Sequence, residues 1–189
     1  MSLVPDRIPS GRIKLTYDDY VGLPNDGKRY EILDGELSVS PAPTSRHQTV
    51  SMNLSTILNL FVRQRRLGRV LAAPTDVILA PTTIVQPDIL FVRAERASII
   101  EERAVEGPPD LVVEILSTWT ARQDRTTKAA LYARFAIPHY WIVDPEAHAI
   151  ERYEIEGDSY HLAKKESGDA TISSALFPGL EIRLAEVWD

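Results

Sequence analysis

The chain has 189 residues, with 21 lysines and arginines against 27 aspartates and glutamates, a net charge of −6 and no cysteine. The absence of cysteine excludes disulfides, thiolate metal sites and a cysteine nucleophile. Hydrophobic residues make up 44% and charged residues 25%, as in soluble globular proteins, and the apolar runs are too short to span a bilayer. Residues 1–10 lack the apolar stretch of a signal peptide, so we expect a cytoplasmic protein.

The first half of the chain predicts a short helix over 16–22, a hairpin over 30–40 and a long helix from Thr44 or Ser45 to Gly68. The hairpin is predicted because Asp34-Gly35 favours a tight turn between strands. The long helix is predicted because apolar residues recur at spacings of three and four. Its apolar face carries His47, Val50, Leu54, Ile57, Leu58 and Phe61.

The second half alternates strand-like and helical segments. Strands are predicted over 69–80, 84–92, 111–116 and 140–143, short and long helices over 98–103 and 120–136, and a hairpin over 149–163. Thr120 and Gln123 have the spacing of a capping box at the start of the long helix. This order predicts one mixed α/β domain over residues 1–189, with a core over about 28–155 and extra strands or hairpins at both ends.

Two carboxylates interrupt apolar segments of this pattern. Glu114 lies within 111–116, a run apolar on both strand faces, where a carboxylate is costly unless it is paired or binds a cation. Its alternative reading is an ion pair at an exposed strand end. Asp88 follows Pro87 in the same kind of context, although Pro-Asp is also a common turn dipeptide. Glu31, on the first hairpin, has the plain alternative of a solvated strand residue.

The helix over 120–136 supplies a third polar element. At about 100° per residue, Asp124 and Lys128 lie on the same face as Leu131 and Phe135, with Tyr132 at its edge. The alternative is an Asp–Lys pair on the solvent-exposed face of the helix. However, Arg122, Thr126, Ala130 and Arg134 already occupy that face, opposite Leu131 and Phe135. We therefore expect both charged side chains to point inward.

Four arginines, at positions 63, 65, 66 and 69, form the most basic stretch of an acidic chain. An acidic chain binds nucleic acid only through a local basic patch or a metal ion, so these arginines are candidates for phosphate contacts. The alternative is pairing with the negative end of the long helix. The four histidines lack zinc-ligand spacing, and we expect no zinc site.

An Asp, a Glu and a Lys that meet at neighbouring strands and a helix suit phosphodiester hydrolysis. Two carboxylates bind Mg²⁺, which coordinates phosphate oxygens and activates water. A nearby ammonium offsets negative charge in the transition state.

This arrangement resembles the PD-(D/E)XK nuclease superfamily and, more narrowly, the Uma2-type (DUF820) family of restriction-endonuclease-like proteins. The resemblance covers roughly residues 16–155. The matching stretches are Tyr30-Glu31-Ile32-Leu33-Asp34-Gly35-Glu36-Leu37, Arg46-His47-Gln48, Val85-Gln86-Pro87-Asp88, Pro109 to Ser117, Asp124, Lys128, Tyr132 and Tyr140 to Pro145.

The resemblance implies a restriction-endonuclease-like core, a central mixed sheet flanked by helices. It implies that Asp88, Glu114 and the carbonyl of Ile115 are metal ligands for Mg²⁺, with Mn²⁺ as a substitute, and that Lys128 is catalytic. Leu116 stands where the simplest superfamily pattern has its lysine, so Lys128 takes that role from the helix. The supporting positions are Glu31, His47, Asp124 and Tyr132. Thr118-Trp119 departs from the family pattern, in the loop after the Glu114 strand.

The leading hypothesis is a Mg²⁺-dependent endonuclease acting on DNA, forming a homodimer and having no membrane association. Two alternatives stay open. One is a catalytically degenerate nuclease fold that binds nucleic acid or a protein partner, and the other is a structural dimer with an incidental ion cluster. The presence of all three polar groups favours the enzyme, and the acidic net charge argues against it.

Overall fold

The computed structural model describes residues 14–189, and the expectation drawn from residues 1–10 lies outside them. The strands are β1 (Arg29–Leu33), β2 (Glu36–Ser40), β3 (Gly68–Ala72), β4 (Asp76–Ala80), β5 (Thr83–Val85), β6 (Ile89–Arg93), β7 (Ala104–Glu106), β8 (Leu111–Ile115), β9 (His139–Asp144), β10 (Ala149–Glu156), β11 (Ser159–Ser167), β12 (Thr171–Ser174) and β13 (Phe177–Arg183). The α-helices are α1 (Tyr17–Val21), α2 (Ser45–Arg65), α3 (Ala121–Gln123), α4 (Ala129–Arg134) and α5 (Ala185–Trp188). A 3₁₀ helix spans Ala94–Ile99, and a π-helical segment, Asp124–Lys128, joins α3 to α4. We call residues 121–134 together the lysine helix.

The strands form three sheets. The six-stranded sheet has the order β11-β10-β9-β8-β6-β3, the five-stranded sheet has the order β2-β1-β5-β4-β7, and β12 pairs with β13. Strand β8 lies inside the six-stranded sheet, parallel to β9 and antiparallel to β6. The fold is therefore the predicted mixed α/β architecture, with mixed sheets flanked by helices.

Strand β8 is buried along its whole length, and alternate residues serve two different cores. Leu111, Val113 and Ile115 face α2 and the C-terminal strands. Val112 instead packs with the lysine helix and part of the five-stranded sheet. Glu114 shares the face of Val112, so the sheet carries this carboxylate toward the lysine helix.

Helix α2 follows its predicted pattern, with Val50, Leu54 and Leu58 buried. Thr44 is its N-cap, and the Thr44 hydroxyl accepts a hydrogen bond from the His47 amide at 3.3 Å. The helix ends earlier than Gly68, through the left-handed Arg66. Gly68 instead begins β3, where a Cβ would lie 2.0 Å from the Val92 carbonyl oxygen, so only glycine fits this close approach.

Two predicted strands are wrong in their extent, because each is divided at a proline. The segment 69–80 forms β3 and β4 in different sheets, with Pro74 between them, and the segment 84–92 forms β5 and β6, with Pro87 between them. Proline has no amide hydrogen for a strand ladder, so pairing stops there and the chain crosses between sheets.

Other local predictions also need correction. The short helix predicted over 98–103 is wrong, since the 3₁₀ helix lies over Ala94–Ile99 and β7 follows. Thr120 makes no capping hydrogen bond, because its backbone is already helical and Gln123 bonds to Ser38 instead. The lysine helix stops at Arg134. Extra strands were expected at the C-terminal end, where β12 and β13 lie, but without bounds, and α5 was not predicted. No helix within residues 14–189 is long and apolar enough to cross a membrane.

Candidate active site

Asp88 and Glu114 lie side by side because of the register between β6 and β8. Ile89 pairs with Val113, which places the residue before β6 next to Glu114. Each of the two carboxylates has only 1% of its surface exposed. The amide of Ile115 donates a hydrogen bond of 2.7 Å to Oδ2 of Asp88, so the end of β8 fixes the orientation of the Asp88 carboxylate.

Asp88 is held by two basic side chains. Nη2 of Arg29 donates to Oδ1 at 2.8 Å, and Nε2 of His47 lies 3.1 Å from Oδ2. Burial by itself raises the pKa of Asp88, but the hydrogen bond with His47 and the charge of Arg29 outweigh it and lower that pKa to about 2. Asp88 is therefore ionised at neutral pH.

Lys128 lies among three carboxylates and is 2% exposed. Its Nζ is 2.8 Å from Oε1 of Glu31, 3.0 Å from Oε1 of Glu114 and 3.8 Å from Oδ1 of Asp124. Burial lowers the pKa of Lys128, but the charges of Glu114 and Glu31 outweigh it and raise that pKa above its ordinary value. The ammonium is therefore a permanent positive charge.

In contrast to Asp88, Glu114 has a raised pKa. Its Oε1 accepts hydrogen bonds from Lys128 at 3.0 Å and from the Tyr132 hydroxyl at 2.6 Å. Burial raises the pKa of Glu114 to about 8, because the neighbouring carboxylates Asp124 and Asp88 add to it and Lys128 only partly opposes them. Oε2 accepts from neither of these two donors.

Asp124 adds a fourth carboxylate to the cluster. Neither of its two oxygens has a hydrogen-bond partner. Burial raises the pKa of Asp124 to about 6, although the charge of Lys128 opposes it. The hydroxyl of Tyr140 fixes the helix here by donating to the Asp124 backbone carbonyl at 2.9 Å. The inward orientation predicted for Asp124 and Lys128 is confirmed.

The charges of this cluster do not cancel. Four carboxylates (Glu31, Asp88, Glu114 and Asp124) face two permanent cations (Arg29 and Lys128), which leaves two surplus negative charges when all four carboxylates are ionised. Within residues 14–189, no three His, Asp or Glu side chains are arranged to hold one metal ion. A cation here would therefore complete its coordination with backbone or water oxygens, as Mg²⁺ commonly does.

The cluster lies at the bottom of a cleft of about 160 Å³. The β2–α2 connection, residues 40–44, forms one wall, and the loop after β8 forms the other through Ser117, Trp119 and Thr120. This cleft is lined by most of the predicted site residues, namely Glu31, His47, Asp88, Glu114, Ile115, Asp124 and Lys128. Tyr132 is joined to it by the hydrogen bond from its hydroxyl to Glu114.

The four predicted arginines lie elsewhere. All are exposed at the end of α2 and on β3, and none of them forms an ion pair within the described part of the chain. Sixteen residues separate His47 from Arg63, so at 1.5 Å per residue they lie about 24 Å apart along α2. Arg65 lies over the Phe61 ring, 4.0 Å from its centroid.

Sequence reasoning missed Arg29, the partner of Asp88. A signal was present, because Arg29 and Glu31 are two residues apart on β1 and must share a strand face. It also missed Gln86, whose backbone amide donates to Oε1 of Glu31 at 2.8 Å.

Comparisons with known proteins agree with this architecture. The chain is 18% identical in sequence to a protein from Anabaena variabilis whose crystal structure is described as that of a "putative nuclease belonging to DUF820". The two structures superpose with a TM-score of 0.74 over 92% of this chain and 97% of that one. The uncharacterized protein sll1609 of Synechocystis sp. is 22% identical over 143 residues, which are 75% of this chain and 81% of that protein. The model of the Uma2 family, described as "Putative restriction endonuclease", matches residues 17–185, and the chain belongs to this family.

Proposed function

We propose that the chain is a Mg²⁺-dependent endonuclease that hydrolyses phosphodiester bonds of DNA. The observation that carries this proposal is the meeting of Asp88, Glu114 and Lys128 at the bottom of one cleft, where four carboxyl groups face two permanent cations. A family and a fold of restriction-endonuclease-like proteins support the same reaction class.

The residues present fit a divalent cation. Both oxygens of Asp124 are buried without a hydrogen bond. A divalent cation that displaces the proton of Glu114 would meet four ionised carboxylates and two permanent cations, a surplus of two negative charges that equals its own charge. Carboxylate and carbonyl oxygens are the ligands that Mg²⁺ prefers. We assign the cation to Asp88, Glu114 and the Ile115 carbonyl, and Oε2 is the Glu114 atom free for it. When bound, the ion supplies an acidified water and stabilises charge on the phosphate.

The protein contributes two preorganised groups of its own. Arg29 and His47 keep Asp88 ionised and fix the orientation of its carboxylate, so this ligand is already charged before a cation arrives. Lys128 cannot act as a proton acceptor, because the surrounding carboxylates keep it charged. Its role is electrostatic: a fixed ammonium beside Glu114 offsets the negative charge that develops on the phosphate during attack by water.

The test is cleavage of plasmid and of single- and double-stranded oligonucleotides in Mg²⁺, Mn²⁺ or EDTA. We expect metal-dependent cleavage by the wild type and by Glu102→Gln, which changes an exposed acidic residue, and at least 100-fold slower cleavage by Asp88→Asn. Calorimetry with Mn²⁺ gives a second readout, with binding by the wild type and none by Asp88→Ala. A protein that binds DNA but cuts nothing with any metal would be the degenerate module instead.

A further inference from the structure

The loop between β8 and the lysine helix carries the most exposed of the large apolar side chains within residues 14–189. Trp119 is 78% exposed, more than Met52 at 67% or Leu60 at 55%. Tryptophan is highly buried on average in folded proteins, so an indole left in water beside a polar cleft needs an explanation.

Trp119 lies at the junction of two cavities. It lines the candidate active site together with Glu114 and Lys128. It also lines an adjoining cavity of about 310 Å³, whose walls include Leu116 and Pro145. Anything that occupies both cavities at once must pass the indole ring.

The exposure of Trp119 does not come from a loose loop. The Thr120 amide donates to the Ser117 hydroxyl at 3.2 Å, and the Ser117 and Thr120 hydroxyls are 3.1 Å apart. The Ala121 amide donates to the Ser117 carbonyl at 3.0 Å. These bonds anchor the loop on both sides of Trp119, so the fold presents the ring at a defined place.

The charges of the adjoining cavity favour a neutral planar ligand over a phosphate. Its charged lining residues are Arg46, Asp144 and Glu146, and Arg46 is paired with Glu146 at 3.1 Å. Asp144 lies 3.7 Å from Arg125, so every charged lining residue has a partner and the cavity offers no unpaired cation to a phosphate. A nucleobase is neutral and flat, and every base offers a π-face for stacking on an aromatic ring.

We propose that Trp119 is a substrate-positioning residue, which stacks on an unpaired base next to the phosphate held in the cleft. The inference rests on the proposed function and adds to it a substrate class: nucleic acid that is single-stranded at the point of cleavage. A base inside a duplex is already stacked on its neighbours and cannot offer its face to the indole.

The first experiment measures binding without catalysis. Tryptophan fluorescence is followed in EDTA while short oligothymidine, the same strand with abasic sites, or a duplex of equal length is added. We expect quenching and saturable binding with oligothymidine only. Trp119→Ala should remove the quenching and weaken binding by about 5- to 150-fold, the range typical of one lost stacked base. Trp119→Phe should retain most of the affinity, and Met52→Ala serves as the matched control.

The second experiment measures cleavage of the same single strand in Mg²⁺. Trp119→Ala should raise KM by about 5- to 150-fold with a smaller change in kcat, because the ring binds the base and not the reacting atoms. If the wild type cuts and Trp119→Ala behaves like Met52→Ala, the inference fails and the proposed function stands. If the wild type neither binds nor cuts any nucleic acid, both fail. Loss of self-association in sedimentation, with DNA binding unchanged, would make Trp119 a contact between copies and overturn the inference.

Discussion

The pKa of Glu114 makes the stability of the metal-free protein depend on pH. This pKa is about 8 in the folded state, against an ordinary value of 4.5, because the carboxyl is buried among other carboxylates. The folded state therefore binds a proton more tightly than the unfolded state does. The stability gained from this proton is fully present below pH 4.5 and is lost as the pH rises to 8.

We predict that in EDTA the wild type loses stability on the order of 3 kcal/mol between pH 5 and pH 8. Glu114→Gln should remove most of this loss and leave only the contribution of Asp124, which ends near pH 6. Urea unfolding at each pH measures both. An equally steep loss in Glu114→Gln would show that Glu114 is not the titrating group.

In our assignment Lys128 stabilises the fold and also acts in catalysis. We therefore expect its removal to lower both the stability and the cleavage rate. The ammonium contacts Glu31 at 2.8 Å and Glu114 at 3.0 Å in a buried site. Removing one partner of a buried ion pair leaves uncompensated charge and costs about 3–5 kcal/mol.

We predict that Lys128→Ala loses this stability at pH 8 and clearly less at pH 5, where the carboxyl groups take up protons. Its cleavage rate in Mg²⁺, measured on the folded fraction at low temperature, should fall at least 100-fold. Lys128→Arg should restore stability better than activity, since a planar guanidinium cannot replace a compact ammonium. Residual activity near the wild-type rate in the folded fraction would refute the electrostatic role.

At the scale of elements, prediction worked where the local pattern and the tertiary context agree. Glu114 was found because a charge in a doubly apolar strand is an anomaly that sequence displays. The breaks at Pro74 and Pro87 were missed because one long apolar strand and two short apolar strands in different sheets have the same hydrophobic pattern in the sequence. Arg29 was missed because a basic residue on an edge hairpin has no local sign of its partner, Asp88, 59 positions away.

The π-helical segment Asp124–Lys128 could not be predicted, because no residue type marks it. In such a segment the backbone hydrogen bonds run from residue i to i+5, which adds one residue to a turn, and such insertions recur at functional sites. Asp124 and Lys128 share the buried face of this segment, as their spacing of four residues predicts, while Thr126 and Thr127 between them stay exposed.

We predict that deleting Thr127 restores an α-helix in which Asp124 lies three residues instead of four from Lys128, shifts the Asp124 carboxyl away from the Lys128 ammonium and slows cleavage at least tenfold. Circular dichroism should still report a folded chain, since the apolar face of α4 is unchanged. Thr127→Ala, which keeps the residue count, should cut like the wild type. Wild-type cleavage by the deletion variant would mean that the π-helical turn has no part in the site.

At the scale of the whole molecule, α2 connects two regions of opposite charge. Its first turn places His47 in the acidic cleft, and its last turn carries the exposed arginines. On duplex DNA, the separation of about 24 Å corresponds to about seven base-pair steps at 3.4 Å each. A strand lying along α2 from the cleft could thus reach the arginines.

The homodimer expected from the family resemblance stays a prediction. Sedimentation of the purified protein measures its oligomeric state.

We predict that the arginines at 63, 65, 66 and 69 contact phosphates, since they are exposed and form no ion pairs within residues 14–189. If Arg69 makes one such contact, Arg69→Gln should weaken DNA binding in EDTA and reduce the slope of log K against log salt by about 0.7–0.9, the lower value applying to single strands. Arg103→Gln removes one exposed arginine from another surface and should leave the slope unchanged. Equal slopes in the wild type and Arg69→Gln, or equal losses in both variants, would return the cluster to its alternative reading, in which these side chains only compensate the negative end of α2.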